Sequence, residues 1–193
     1  MQTKNDELSE ALSLLGEVLE GRGVAPLRLI VCGGTALRAL GIVARVTKDV
    51  DVLARRGEVD GDLIPAWPLP DEVKEAAAEV ATELRLPSNW LNASTSMLLM
   101  PLEEWPAELW SEIQEEAFGR CLRIGFVGRV GQIHLKMYAT LGRVEQRDVD
   151  DLVALAPTEE EWGRVAKWLR DGGRLDAVGE QRLAEVLKEV GHE

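Results

Sequence analysis

At 193 residues with 46% apolar content, the chain is long enough to bury one sizeable core and too short to need several; no apolar run approaches the ~18 to 20 residues of a membrane span. A net charge of −12 excludes a broad basic footprint of the kind that binds duplex DNA, yet residues 27–56 hold six Lys/Arg against two Asp, and residues 119–147 six against one Glu. Two basic islands therefore lie in an acidic shell, and a compact polyanion such as a nucleotide fits between them if they meet in space; the plainer alternative is that scattered arginines pair with that shell.

Cys32 and Cys121 have no CxxC or Cys/His neighbour and read as buried reduced thiols, which excludes a structural zinc site. Only His134 and His192 are available to a histidine relay. The opening MQTKNDELSE lacks the basic start and apolar middle of a secretion signal, so a cytoplasmic protein is expected.

In chain order, Leu8, Leu12, Leu15 and Leu19 recur at helical spacing and predict an amphipathic helix over 5–20, stopped by GRG. LRLIVC (27–32) is short and branched, as strands are, and ends at Gly33-Gly34, after which TALRAL opens a helix. Alternation over 48–53 predicts a second strand; RRGEVDGDLIPAWPLP, with three prolines and two glycines, reads as a loop. Residues 71–84 predict a surface helix. The stretch 87–110 has poor periodicity, and in its SNWLN Trp90 reads either as an anchor pinning a polar loop or as part of a substrate lip. CLRIGFVG (121–128) is a third strand, and 132–155 reads as two helices meeting near Gln146. Thr158 with TEEE caps a helix running to Leu169, DGG ends it, and a last helix covers 179–190. Trp105, Trp110, Trp162 and Trp168 read as packing residues. The expected class is α/β (α+β): a small mixed sheet flanked by helices over 1–130, with a helical carboxy-terminal region, 131–193, packed on it.

In VTKDVDVL, two aspartates interrupt an apolar run. On a strand, side chains two apart share a face with Cα atoms roughly 6.6 to 6.8 Å apart, so Asp49 and Asp51 project together while Val50 and Val52 turn to the core. Paired carboxylates repel unless solvated or bridged, and Mg²⁺, which favours hard oxygen ligands, suits them; a strand with one wet face gives the same pattern. Gly33-Gly34 leaves backbone amides at a helix start open to a phosphate, with Thr35 as a hydroxyl donor, although a tight turn also selects glycine. Neither GxGxxG nor GxxxxGK is present. Lys136, Thr140, Arg143 and Arg147, spaced four, three and four, form one basic stripe if their helix persists, with Asp148 and Asp151 a turn apart; an exposed helix laced with salt bridges is the alternative.

The stretch VCGGTALRALGIVARVTKDVDVL resembles the signature of the polymerase-β-like nucleotidyltransferase superfamily, a GG or GS turn followed by a strand bearing two acids in alternation. RVTKDVDV is similar to the form found in AbiE-type toxins and their relatives, and HLKMYATLGRVEQRDVDDL resembles that group's later motif. The two blocks cover under half of the chain, in the expected order. The resemblance implies a nucleotidyltransferase-like fold with a nucleoside triphosphate as substrate and Mg²⁺, or Mn²⁺ in its place, on Asp49 and Asp51. It implies catalytic roles for Asp49, Asp51, Lys136 and Asp148, with Gly33, Gly34, Thr35, Arg45, Thr47, Arg143, Arg147 and Asp151 around the nucleotide. Lys136 would meet the triphosphate or assist transfer, and Asp148 or Asp151 would support the site. The implied acceptor is a hydroxyl on a tRNA end, a protein or a small molecule, and a toxin-antitoxin setting implies an antitoxin protein as partner.

One departure stands out. Members that transfer nucleotides commonly carry a third carboxylate on a later strand, where CLRIGFVG has Arg123 and no acid. Glu103, Glu104, Glu108 or Asp148 could substitute, or one metal could suffice; the alternative is a catalytically inactive binding or interaction module on the same fold.

Overall fold

A computed structural model describes residues 6–56, 62–98, 101–142 and 145–191. Helix α1 (Asp6–Gly21) buries Ala11, Leu12, Leu15 and Leu19, the stripe its leucine spacing predicts. Strand β1 (Leu27–Cys32) leads through the glycine pair into the short helix α2 (Gly33–Ala39), and β2 (Val50–Arg56) returns antiparallel to β1. After β3 (Leu63–Pro65) come α3 (Asp71–Leu84), β4 (Leu91–Asn92), α4 (Ser94–Leu98), a 3₁₀ turn (Leu102–Glu104) and α5 (Glu108–Ser111). A hairpin of β5 (Gln114–Phe118) and β6 (Leu122–Phe126) precedes four helices: α6 (Arg129–Gly142), α7 (Gln146–Leu155), α8 (Glu159–Asp171) and α9 (Ala177–Glu189).

The strands form one mixed sheet in the order β3-β2-β1-β6-β5, with β1 parallel to β6 and β4 pairing parallel to the remaining stretch of β2. One face, including Leu29, Val31, Val50, Val52 and Ile124, packs under α1 and α3. The opposite face buries Ile30, Cys32, Leu53 and Ala54 against Trp105, Leu109 and Leu135. Helix α6 joins two cores, because Leu135 meets the sheet while Ile133 and Met137 pack with α7, α8, α9 and Leu37 of α2. The class is thus mixed α+β with a helical carboxy-terminal part, as composition and patterning predict. Among the described residues no helix is long and apolar enough to cross a membrane.

Several local expectations need correction. The second strand is Val50–Arg56 rather than 48–53, so Asp49 lies just ahead of the strand and only Asp51 obeys its alternation. The loop expected after β2 contains β3, which lines up against Ala54 to Arg56. Strand β5 was not expected at all: QEEAF has four exposed residues before the buried Phe118, and its hydrogen bonds to β6 make it a strand where its side chains do not. The basic stripe does not exist as one surface. Helix α6 ends at Gly142 and α7 begins at Gln146; Thr140 is buried, Lys136 is turned inward, Arg147 is exposed on the next helix, and Arg143 lies outside the described residues. His192 also lies outside them. The cysteines are free, Cys32 buried and Cys121 half-buried.

Candidate functional site

The site is built where β1 ends. Gly33 adopts φ +68, a left-handed conformation that costs a residue with a Cβ about 1 to 2 kcal/mol. A Cβ there would also stand 3.0 Å from Asp51 Oδ2, and one at Gly34 would stand 3.1 Å from Thr47 Oγ1 and 3.2 Å from an Arg45 guanidinium nitrogen. Both glycines are therefore required by close approach: the segment carrying Arg45, Thr47 and Asp51 lies directly against them. The Gly33 amide donates to Gln132 Oε1 at 3.2 Å, so the helix-start amides left to meet a phosphate are those beyond Gly33.

The two aspartates are held differently. Asp51 lies opposite Cys32 in the β1–β2 pairing, and its Oδ1 accepts from Asn92 Nδ2 at 3.2 Å. Asn92 sits on β4, in register with Asp51, and its own Oδ1 accepts from the Ser94 amide at 3.0 Å, which fixes which way the side-chain amide faces. Asp49 is fixed by two threonines: Thr35 Oγ1 donates to its carbonyl at 2.6 Å and Thr47 Oγ1 to its Oδ1 at 3.1 Å. The Thr35 hydroxyl thus shapes the acid segment.

Behind the glycines lies a charged cluster. Lys136 Nζ is 2.8 Å from Asp148 Oδ1 and 2.7 Å from Asp151 Oδ2, with both aspartate side chains 3% exposed or less. Arg45 clamps Asp151 from the other side with contacts of 2.7 and 2.9 Å, and its carbonyl accepts from Arg38 at 3.2 Å. Burial alone would pull the Lys136 ammonium down from its ordinary range, but attraction and hydrogen bonding from Asp148 and then Asp151 outweigh it, so the group is held above that range and stays charged. Burial pushes the Cys32 thiol far up, with Asp51 adding to the effect and Lys136 opposing it.

Arg45, Arg147, Asp150 and Asp151, with Ile42 and Val43, line an open cleft of about 420 Å³. A second cavity, of about 270 Å³, is lined by Thr35, Thr47, Arg38 and Glu116, with Phe118 and Phe126. Of the residues expected around the nucleotide, Gly33, Gly34, Thr35, Arg45, Thr47 and Asp151 come together with Asp49, Asp51, Lys136 and Asp148. Arg147 reaches only the outer cleft. Among the acids considered as a third carboxylate, Asp148 is committed to Lys136, while Glu104 and Glu108 open on a different cleft with His134 and Trp168.

Two residues of the site escaped sequence reasoning. Gln132 is fully buried and ties the Gly33 amide to the Val127 carbonyl, its Nε2 donating at 3.2 Å; a polar residue on the buried side of a helix, two positions before His134, was the available signal. Asn92 was visible as part of SNWLN without a role. Its neighbour Trp90 is fully buried and donates from Nε1 to the Ala77 carbonyl at 2.9 Å, so it pins the loop to α3 and is no substrate lip.

The oxygen donors of Asp49 and Asp51 fit Mg²⁺, which is held through one or two carboxylates and completes its shell with water and phosphate. Among the described residues no group of three or more His, Cys, Asp or Glu side chains is placed to hold a metal ion. No family model, curated protein or solved structure matches the chain.

Proposed function

We propose that this protein is a Mg²⁺-dependent nucleotidyltransferase that moves a nucleoside monophosphate from a nucleoside triphosphate to an acceptor hydroxyl. The observation that carries the reading is the convergence of Asp51, the Asp49 segment and the Lys136 cluster on one glycine pair. In the reaction the acceptor oxygen forms a bond to the α-phosphorus, the α–β phosphoanhydride bond breaks, pyrophosphate departs and the hydroxyl proton passes to water. A bound Mg²⁺ supplies charge neutralisation at the phosphates. The chain's own contribution is positioning. Asp49 and Asp51 are held rigid by Thr35, Thr47 and Asn92, and Lys136, with two of its three N–H donors given to Asp148 and Asp151, turns the third to a phosphate oxygen. Arg45 fixes Asp151 and so keeps the lysine in place.

The test is incubation with each labelled triphosphate, Mg²⁺ and total tRNA, with the protein itself and small hydroxyl compounds as further acceptors. Transfer in the wild type that is lost in Asp51→Asn supports the reading; no transfer from any triphosphate to any acceptor sinks it. A second reading, a binding module without turnover such as a toxin-antitoxin component, is favoured by Asn92, an amide standing beside Asp51 on the neighbouring strand where a further acid would help to hold metal. It requires triphosphate or antitoxin binding that survives chelation of the metal, with no label transferred.

A further inference from the structure

Helix α6 carries a buried titratable group that the reaction above does not use. His134 is 2% exposed, and its Nδ1 lies 2.9 Å from the Val130 carbonyl oxygen. A carbonyl only accepts, so the proton sits on Nδ1 and Nε2 carries a lone pair. Burial, the largest influence on the ring, holds it below its ordinary range, which keeps it neutral near pH 7. Nε2 has no hydrogen-bond partner among the described residues, and it is not sealed from solvent there as the unpartnered Trp105 Nε1 is. The ring lines an open cleft of about 440 Å³, so this lone pair is what His134 offers to it.

The cations of the cleft are already met. Arg174 pairs with Glu104 at 3.4 Å, Arg164 with Glu160 at 3.1 Å, and Lys167 with Asp171. Of the three carboxylates that line the cleft, Glu108 alone forms no ion pair among the described residues. Packing brings its helix against this part of α6: a Cβ on Gly131, one turn before His134, would stand 2.8 Å from the Leu109 carbonyl oxygen, and Glu108 precedes Leu109. A lone pair and a carboxylate, both acceptors and both unmet, call for a ligand that brings N–H groups and positive charge. A transition-metal ion also takes an imidazole whose other nitrogen is tied to a carbonyl, but among the described residues no three such ligands are placed to hold one. We propose that the His134 cleft binds an aliphatic primary ammonium group, which donates to His134 Nε2 and to the Glu108 carboxylate while its alkyl stem rests on Pro106 and Trp168. The volume falls in the range of small-ligand sites. His134 and Lys136 are two helix positions, roughly 200°, apart. The cleft therefore lies across α6 from the Lys136 cluster and stands whether or not the acid pair transfers nucleotides.

A free alkylamine and a lysine side chain present the same group. Titration calorimetry in phosphate buffer, which brings no competing amine, tests the cleft with butylammonium, Nα-acetyl-lysine methylamide and tetramethylammonium on the wild type, Glu108→Gln and His134→Gln. Imidazole nitrogen resonances, with those of His134 identified in His192→Gln, follow the ring itself. The expected result is saturable binding of both primary amines, a shift of the His134 Nε2 resonance at the same concentrations, and affinity weakened about tenfold or more in each variant. Tetramethylammonium, which has the charge and no N–H, should not bind. A lysine derivative that binds tighter than butylammonium assigns the group to a polypeptide side chain, and equal or weaker affinity assigns it to a free amine. Absence of saturable binding by either amine, tetramethylammonium binding equally well, an unmoved Nε2 resonance, or unchanged affinity in Glu108→Gln overturns the proposal. If circular dichroism shows that His134→Gln does not fold, Glu108→Gln, at an exposed position, and the wild-type resonance decide.

Discussion

Replacing Lys136 by Met separates what the lysine does for the fold from what it does for chemistry. Asp148 and Asp151 are 3% and 1% exposed at the side chain, and Lys136 Nζ contacts both within 2.8 Å. Removing one member of a buried ion pair costs about 3 to 5 kcal/mol, because a charge is left uncompensated in a poorly solvated place. Asp151 keeps its Arg45 clamp, so the expected cost lies at the lower end, about 3 kcal/mol. Adding Asp148→Asn removes the carboxylate that Lys136 pairs with and should return about half of that, giving a coupling of about 1 to 2 kcal/mol in a double-mutant cycle. Urea unfolding followed by tryptophan fluorescence measures all three variants. A loss below about 1 kcal/mol in Lys136→Met, or strict additivity in the cycle, would refute the buried cluster as described. The experiment also guards the functional reading, since activity lost in Lys136→Met counts as chemistry only if the variant is shown to be folded.

Four further outcomes are expected. Gly33→Ala should destabilise by at least about 1 to 2 kcal/mol, from its φ of +68 and from the contact with Asp51 Oδ2, and unchanged urea stability would contradict the close approach. Glu161 is held down to about 2 from 4.5, chiefly by its hydrogen bonds with Arg129, so its contribution is full above pH 4.5 and is lost as pH falls toward 2. Discounted for a partly solvated arginine this is about 1 to 2 kcal/mol, and the acid-side slope should flatten in Glu161→Gln. His134 is held below 6.5 by burial, against the opposing pull of its Val130 hydrogen bond and Glu108 and with a smaller push from Arg164. The unfolded chain therefore takes up the proton first, stability present above pH 6.5 declines as pH falls through it, and His134→Gln should remove that decline. Trp90→Phe deletes the Nε1 bond to Ala77 and should cost about 1 kcal/mol by urea denaturation; no loss would show that this bond does not pin the loop.

The sequence by itself determined the elements whose signal is local. Leucine spacing marked α1, and the threonine-glutamate pair marked the start of α8, where Thr158 and Glu161 complete a reciprocal capping box. The glycine pair, the acid-x-acid stretch and the lysine and aspartates of the later block were readable as residues that have no reason to be where they are in a bland core. Tertiary structure alone decided how they meet. Strand β5 is held by backbone bonds to β6 while its side chains stay in water, so no apolar alternation announces it. The supposed basic stripe was an extrapolation past a helix break ahead of Gln146; with α7 packed on α6, Lys136 faces inward onto Asp148 and Asp151, and Arg147 is exposed. Asn92 reaches Asp51 across 41 positions and Gln132 reaches Gly33 across 99, distances over which periodicity carries no information because the contact is made by sheet pairing and helix docking, not by neighbours in the chain.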